Sequence, residues 1–421
     1  MPDTKPAILY AQSGGVTAVI NATANGVIDG LLQYKDSHQL IIAQNGILGV
    51  LDELLIDAGT LDEQTIRSLY YLPSSAFGSC RYRLPDFDQP GATDIYTRIF
   101  TVLAAHQIEM ILYNGGNDSQ DTLIKLINYS QKIKYPLRCI GIPKTIDNDL
   151  YGTDTCPGFG SAAKYVATAT LEASMDIKAM ASNSTKVFIL ETMGRHAGWL
   201  AAASSLARSH PEDPPHIILC PEVSFDTEAF LNQVNFITQR TGYCVIVASE
   251  GIKGLTSDNT HATDAFGHQR LRGVAEALSD MIEQKLQLKT HTAKPDYCLR
   301  SARHLAAKID LEQSYELGKK AVQQIIDGES ETMLTIVRTS DQPYNWEIGT
   351  IALGEVANLE RQVPNTYIAD HGMDVTQTCT DFLRPLIQGE DHPPYQNGIP
   401  MYQTIQYELM SKQCEEYTIP S

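Results

Sequence analysis

The chain has 421 residues, enough for two or three domains, and its 43% hydrophobic and 19% charged content lets it bury a core. A net charge of −18 argues against broad nucleic-acid binding, yet leaves room for a small anionic substrate held by local arginines and helix N-termini. The eight cysteines are scattered with no C-x-x-C pair, which disfavours a zinc site or redox motif and suits reduced thiols of a cytoplasmic protein. No basic-then-apolar leader precedes Ala7-Ile8-Leu9-Tyr10, and no apolar run is long enough to cross a bilayer.

Residues 7–11 predict a strand running into Ser13-Gly14-Gly15, after which Val16, Val19, Ile20, Val27 and Leu31 recur at helical spacing. Residues 110–113 predict a second strand, followed by Gly115-Gly116-Asn117-Asp118-Ser119 and a helix marked by Leu123, Ile124 and Ile127. Each glycine turn could cradle an anion, because glycine lets backbone approach closely and a following helix N-terminus favours negative charge. Taken alone, each reads as well as an ordinary strand-to-helix turn, with Asp118 or Ser119 as N-cap.

Residues 139–142 predict a third strand, and Pro143-Lys144-Thr145-Ile146-Asp147-Asn148-Asp149 follows it. One of the two aspartates can act as a general base towards a hydroxyl, the other can stay ionised near a metal or arginine, and the lysine can neutralise a phosphoryl group in flight. A solvated turn rarely carries this much charge directly after a core strand. Residues 187–190 lead into Glu191-Thr192-Met193-Gly194-Arg195-His196-Ala197-Gly198-Trp199. Arg195 could grip a phosphate with its guanidinium fork, whereas Met193 and Trp199 read as packing and His196 as structural. Residues 217–219 and 245–248 continue the strand theme, the latter ending in Ser249-Glu250-Gly251, and Tyr297-Cys298-Leu299-Arg300 follows a polar stretch. From about residue 330 the texture changes: 333–337 and 346–353 read as two strands joined at Asp341-Gln342-Pro343, and the remaining tail is mixed.

Strands alternating with helices imply mostly parallel α/β sheets with ligands at the carboxyl ends of the strands, where the glycine and aspartate clusters fall. The residues alone describe an α/β enzyme with several anion-handling loops on one sheet edge and a candidate carboxylate base. That suits phosphoryl transfer and leaves the substrate unnamed.

The ordered motifs add more. Ser13-Gly14-Gly15 with Asn21, Gly78-Ser79-Cys80-Arg81, Gly-Gly-x-x-Ser at 115–119, Pro-Lys-Thr-Ile-Asp-Asn-Asp at 143–149, Met-Gly-Arg at 193–195, Glu250-Gly251 and Tyr297-x-x-Arg300 resemble the phosphofructokinase family. Val363-Pro364 and residues 382–387 resemble its longer, pyrophosphate-using members. The resemblance implies two Rossmann-like three-layer α/β domains with mostly parallel sheets and an active-site cleft between them. It places the donor in 1–155 with about 298–330, the sugar phosphate in 156–297 with about 331–360, and a C-terminal extension at 361–421. It implies that Asp147 deprotonates the 1-hydroxyl of fructose 6-phosphate, with Lys144 and Asp118 beside the transferring group. Thr145, Ile146, Asp149, Met193, Gly194, Arg195, Glu250, Tyr297 and Arg300 would hold the sugar phosphate. Gly14, Gly15, Arg81, Gly116, Asp118 and Ser119 would hold the donor, bridged by Mg²⁺. Lys186, seven residues before Met193, would reach the 6-phosphate of a neighbouring subunit, implying a homodimer with shared sites. A further phosphate-binding cation before Tyr297 could be Lys289, His291 or Lys294.

In ATP-using relatives the positions of Asp118 and Lys144 are commonly glycine. Here a carboxylate would fill and repel the α-phosphate region, and a lysine would serve a donor with no adenosine to hold it, so the resemblance favours pyrophosphate and a reversible glycolytic reaction. One departure concerns the metal: the family usually has aspartate where this chain has Asn117, whose amide oxygen can ligate Mg²⁺ without bringing charge. The rival readings are an ATP-dependent phosphofructokinase, which would have to tolerate Asp118 beside a nucleotide, and a silent sugar-phosphate-binding regulatory subunit, for which Asn117 argues and the retained Asp147 argues against. A lipid or dinucleotide kinase of the Gly-Gly-Asp type lacks the Thr-Ile-Asp-Asn-Asp and Met-Gly-Arg partners.

Overall fold

A computed structural model describes residues 5–255 and 273–418. In chain order its main strands are β1 (Ala7–Gln12), β2 (Gln39–Ala43), β3 (Leu55–Asp57), β4 (Ile108–Gly115), β5 (Arg138–Pro143), β6 (Val187–Thr192), β7 (Ile217–Leu219), β8 (Cys244–Ser249), β9 (Thr290–Ala293), β10 (Thr332–Asp341) and β11 (Tyr344–Ala352). They form two sheets, in the orders β11-β10-β5-β4-β1-β2-β3 and β7-β8-β6-β9. The second is parallel throughout; the first is parallel except for its outer pairs, β2–β3 and β10–β11.

Alternation along the strands builds a core on each face of each sheet. In β1, Ala7, Leu9 and Ala11 enter one cluster while Ile8 and Tyr10 enter the cluster behind it. In β6, Phe188 and Leu190 point to one side, Val187 and Ile189 to the other. Burial on both faces is what makes these strands continuous apolar runs, and it gives each lobe three layers. Each buried Leu or Ile contributes about 1.5–3 kcal/mol over its exposed state, which is why the apolar periodicity decides the strand positions.

The hairpin β10–β11 departs from expectation. Residues 331–360 were expected with the second sheet, yet β10 pairs with β5 through Thr332–Ile140 and Met333–Gly141, extending the first. The physical reason is burial: Met333, Leu334 and Ile336 fill the two core clusters of the first sheet.

The lobes are joined by buried polar groups. Asp310, on helix Lys308–Ile326, caps the first turn of helix Phe159–Met180. Its Oδ1 accepts from Gly158 N at 2.9 Å, and its Oδ2 accepts from Ser161 N at 2.9 Å and Ser161 Oγ at 2.6 Å. The tail then wraps both lobes. Val363, Ile368, Cys379 and Leu386 enter a core cluster of the second sheet, while Met410 N donates to Leu55 O at 2.7 Å on the edge of the first. Among the described residues no helix is long and apolar enough to cross a membrane.

Candidate active site

Both sheets aim their carboxyl ends at one cleft of about 710 Å³. In the first sheet the strand order reverses at the β1–β4 boundary; in the second, β6 lies between β8 and β9. Loops leaving such points diverge and open a crevice, so the turns after β1, β4, β6 and β9 all reach the cleft.

The turn after β1 brings Gly14 and Gly15. Gly14 has φ +78°, and a Cβ added there would lie 3.1 Å from Lys144 Nζ. A Cβ on Gly15 would lie 3.2 Å from Arg300 Nη1 and 3.6 Å from Arg81 Nη2. Two bare backbone positions are therefore ringed by three cations, a suitable seat for an anion. Lys144 Nζ also donates to Gly15 O at 2.5 Å, tying the loop after β5 to the loop after β1.

After β4, helix Asn117–Ile133 starts at the cleft, with Gly116, Asn117, Asp118 and Ser119 all on its wall. Its N-cap is Gly116, which supplies no side-chain cap; Gly116 O accepts from Ser119 N at 3.0 Å and Gln120 N at 3.2 Å, which leaves the N–H groups of Asn117 and Asp118 to outside acceptors.

The loop after β5 carries Lys144, Thr145, Ile146, Asp147 and Asp149 into the cleft. Asn148, between the aspartates, turns away: at φ +55° and fully buried, its Oδ1 accepts from Cys156 N at 2.9 Å. The Thr145 hydroxyl accepts from Asp147 N at 3.1 Å and bonds the Asp149 carboxylate. The loop thus has its own framework, and both carboxylates face one space.

Electrostatics set these groups apart. Burial, the Asp149 carboxylate and the Glu250 carboxylate push Asp147 up to about 8, against the pull of Lys144 and Arg195. Burial also raises Asp149. Burial, then the neighbouring Arg300 and Arg81 charges, bring Lys144 down to about 7. Because Asp147 senses Lys144 from one lobe and Arg195 and Glu250 from the other, it lies where the two halves meet. Asp147 Oδ1 and Asn117 Oδ1 are both buried without a hydrogen-bond partner among the described residues. A buried polar atom left unpaired costs about 1–3 kcal/mol, so two of them on one cleft wall mark a place for a ligand.

The second lobe contributes Met193 and Arg195 after β6, Glu250 after β8, and Tyr297 and Arg300 beyond β9. The Arg300 guanidinium stacks 4.1 Å from the Tyr297 ring, and its Nε is buried and unpaired among the described residues. Gly194 is not on the wall. With φ +123° and a would-be Cβ 2.6 Å from Ala197 O, it shapes the turn that presents its neighbours. Of the three cations considered before Tyr297, Lys294 reaches the cleft, paired with buried Glu191; Lys289 and His291 do not. Lys186 is also off the cleft of its own chain, its Nζ bonded to Ala181 O.

The wall also holds residues that nothing in the sequence assigned to the site: Val16, Arg83, Glu191, Thr192, His196, Ala197, Asp296, and Asn358, Leu359 and Glu360 from the tail. Arg83 stands two positions after Arg81, a signal that was available; the 358–360 segment carries no such mark. Among the described residues, no three His, Cys, Asp or Glu side chains cluster as a metal cage.

A crevice at the ends of two parallel sheets, with an anion seat, a buried carboxylate of raised pKa and arginines from both lobes, is the architecture of a phosphoryl-transfer enzyme. The sequence profile named Phosphofructokinase matches residues 7–325, and the chain belongs to the phosphofructokinase family. It is 47% identical over 414 residues to a Halomonas elongata protein named pyrophosphate–fructose 6-phosphate 1-phosphotransferase, covering 97% of this chain and 98% of that one. It is 49% identical over 410 residues to a Xanthomonas campestris pv. campestris protein of the same name, covering 96% and 97%. The crystal structure of the pyrophosphate-dependent phosphofructokinase of Nitrosospira multiformis superposes with a TM-score of 0.90 at 44% identity, covering 99% of this chain and 100% of that one.

Proposed function

We propose that this chain catalyses the reversible, Mg²⁺-dependent transfer of a phosphoryl group from pyrophosphate to the 1-hydroxyl of D-fructose 6-phosphate, giving fructose 1,6-bisphosphate and phosphate. The observation that carries the reading is Asp147. It is a buried carboxylate with a raised pKa and an unpartnered oxygen, in a cleft shared with Asp118 and Lys144 from one lobe and Arg195 and Glu250 from the other.

Asp147 accepts the proton of the sugar 1-hydroxyl as that oxygen bonds to phosphorus; the bond from phosphorus to the bridging oxygen breaks, and phosphate leaves. Lys144, Arg81 and the Gly14–Gly15 backbone orient the donor, and Lys144 regains its proton once phosphate oxygens lie beside it. Arg195, Tyr297 and Arg300, with Met193, Thr145, Ile146, Asp149 and Glu250 around them, hold the sugar phosphate. The side chain of Asp118 occupies the start of a helix where a nucleotide would need space, which favours the smaller donor that the named relatives use. Mg²⁺ brought in with pyrophosphate would be held by Asn117 Oδ1, Asp118 or Asp147, and would neutralise charge on the transferring group. Mg²⁺ commonly keeps waters and takes one or two protein oxygens besides phosphate, so the two orphaned oxygens suit it without a preformed cage.

The site is proposed to be completed across a homodimer. Support comes from Leu171 and Met175, exposed apolar residues one turn apart on helix Phe159–Met180, with exposed Met180 at the helix end, close to Lys186 in sequence. A cytoplasmic location is part of the proposal and fits eight free cysteines. The test of the base is Asp147→Asn, nearly isosteric and unable to take the proton. Turnover should fall at least ~10²-fold with the fold intact; near-normal turnover would remove Asp147 from this role.

A further inference from the structure

The family profile ends at residue 325, yet part of the cleft wall comes from beyond it. The segment Asn358-Leu359-Glu360-Arg361 runs along the cleft and is fastened on both sides. On the first-lobe side, Glu360 forms an antiparallel bridge with Leu150, and Arg361 N donates to Asp149 O at 2.7 Å. The Arg361 guanidinium reaches further along the same loop, where Nη1 donates to Thr153 O at 2.9 Å and Asp154 O at 2.8 Å. On the second-lobe side, Trp199 Nε1 donates to Arg361 O at 3.1 Å, and the guanidinium stacks 4.5 Å from the Trp199 ring. Glu222 Oε1 continues the fastening, accepting from Gly198 N at 2.9 Å and Val363 N at 2.8 Å. At the rim, Glu360 pairs with His196 Nδ1 at 2.8 Å.

These contacts join two particular loops. One leaves β5 and carries Asp147 and Asp149; the other leaves β6 and carries Met193 and Arg195. The rim pair is half-exposed and contributes little. The contacts of Arg361 are different: charge-assisted hydrogen bonds to two carbonyls, made by a residue stacked on a fully buried ring.

We propose that Arg361 is a positioning residue for phosphoryl transfer, fixing the separation between the carboxylate loop of one lobe and the sugar-phosphate loop of the other. The inference rests on the reading of Asp147 as the base. Arg361 touches neither substrate; its effect passes through the backbone of residues 149–154 and through Trp199. The grip on the sugar phosphate stays in place without it, while the distance from the sugar hydroxyl to the carboxylate does not. Its loss therefore falls on kcat and spares binding.

The experiment compares the full-length Arg361→Gln, Arg361→Lys and Asp147→Asn variants with the parent, at a temperature well below unfolding. It measures kcat, KM for fructose 6-phosphate, and the stoichiometry of fructose 6-phosphate binding by equilibrium dialysis. Arg361→Gln should bind the sugar phosphate at the parent's stoichiometry with KM within about threefold, while kcat falls ~10- to 100-fold, the scale of a misplacement near 1 Å. Arg361→Lys, which keeps the cation and can reach one carbonyl, should recover at least about threefold of that loss. A kcat within about twofold of the parent, or a loss that merely tracks lost binding stoichiometry, overturns the proposal. If Arg361→Gln does not fold, Arg361→Lys decides alone: full binding with kcat down at least about threefold supports the role, and parental kcat ends it. An active Asp147→Asn removes the base and this inference together; an inactive Asp147→Asn beside normally active Arg361 variants removes this inference alone.

Discussion

The paired shifts of Lys144 and Asp147 give the free enzyme an unusual pH dependence. Transfer needs Asp147 ionised and Lys144 protonated. With Asp147 pushed up to about 8 and Lys144 brought down to about 7, the two requirements overlap in a narrow window. Treated as independent groups, both are met in roughly one molecule in twenty near pH 7.5, and that fraction falls about 20-fold two pH units to either side. With ordinary values near 4 and 10.4 the profile would instead be flat from about pH 6 to 9. The assay is kcat/KM against pH, which reports the free enzyme, after dividing out the titration of the substrates' own phosphates. Asp149→Asn supplies the perturbation. Asp149 raises both Asp147 and Lys144, so removing its carboxylate lowers both pKa values and the whole bell moves to lower pH, whatever the loss in absolute rate. A flat profile in the parent, or an acid limb that Asp149→Asn moves upward, refutes the reasoning.

Two other predictions concern donor and assembly. Asp118→Gly with Lys144→Gly should admit ATP and damage pyrophosphate turnover, read by running both donors on the double variant; absent ATP activity with unchanged pyrophosphate activity contradicts the account of donor choice. If Lys186 serves a neighbouring site, mixing Lys186→Ala chains with Asp147→Asn chains under exchange conditions should restore roughly a quarter of parental activity, because half the dimers are hybrids with one intact site each. No recovery after confirmed exchange places Lys186 outside the shared site.

Much of the cleft was readable because its loops directly follow strong apolar strands. The runs behind β1, β4, β5, β6 and β8 fix where each turn must emerge, and glycine, aspartate or arginine at that point then carries chemical meaning. The 147–149 string could be read one step further: Asp147 and Asp149 face the cleft because Asn148 takes the left-handed conformation and bonds Cys156 N. What stayed hidden depended on tertiary partners. β9, Thr-His-Thr-Ala, is too polar to announce itself as a strand, so the sequence could not choose Lys294 over Lys289 or His291. The strands at 332–352 were legible as a hairpin, but their sheet was not, since two pairings with β5 decide it. The 358–361 segment has neither apolar period nor motif; its place follows from backbone contacts with residues 149–154 and from Trp199, itself correctly read as packing.

The measurement that tests the central claim most directly is turnover of fructose 6-phosphate with Mg²⁺ by the purified chain alone, with pyrophosphate and ATP compared side by side. The account predicts turnover with pyrophosphate, in both directions, and none with ATP. Turnover with ATP alone would contradict the role given to Asp118 and Lys144, and silence with both donors would contradict catalysis by Asp147 in a chain that carries Asn117.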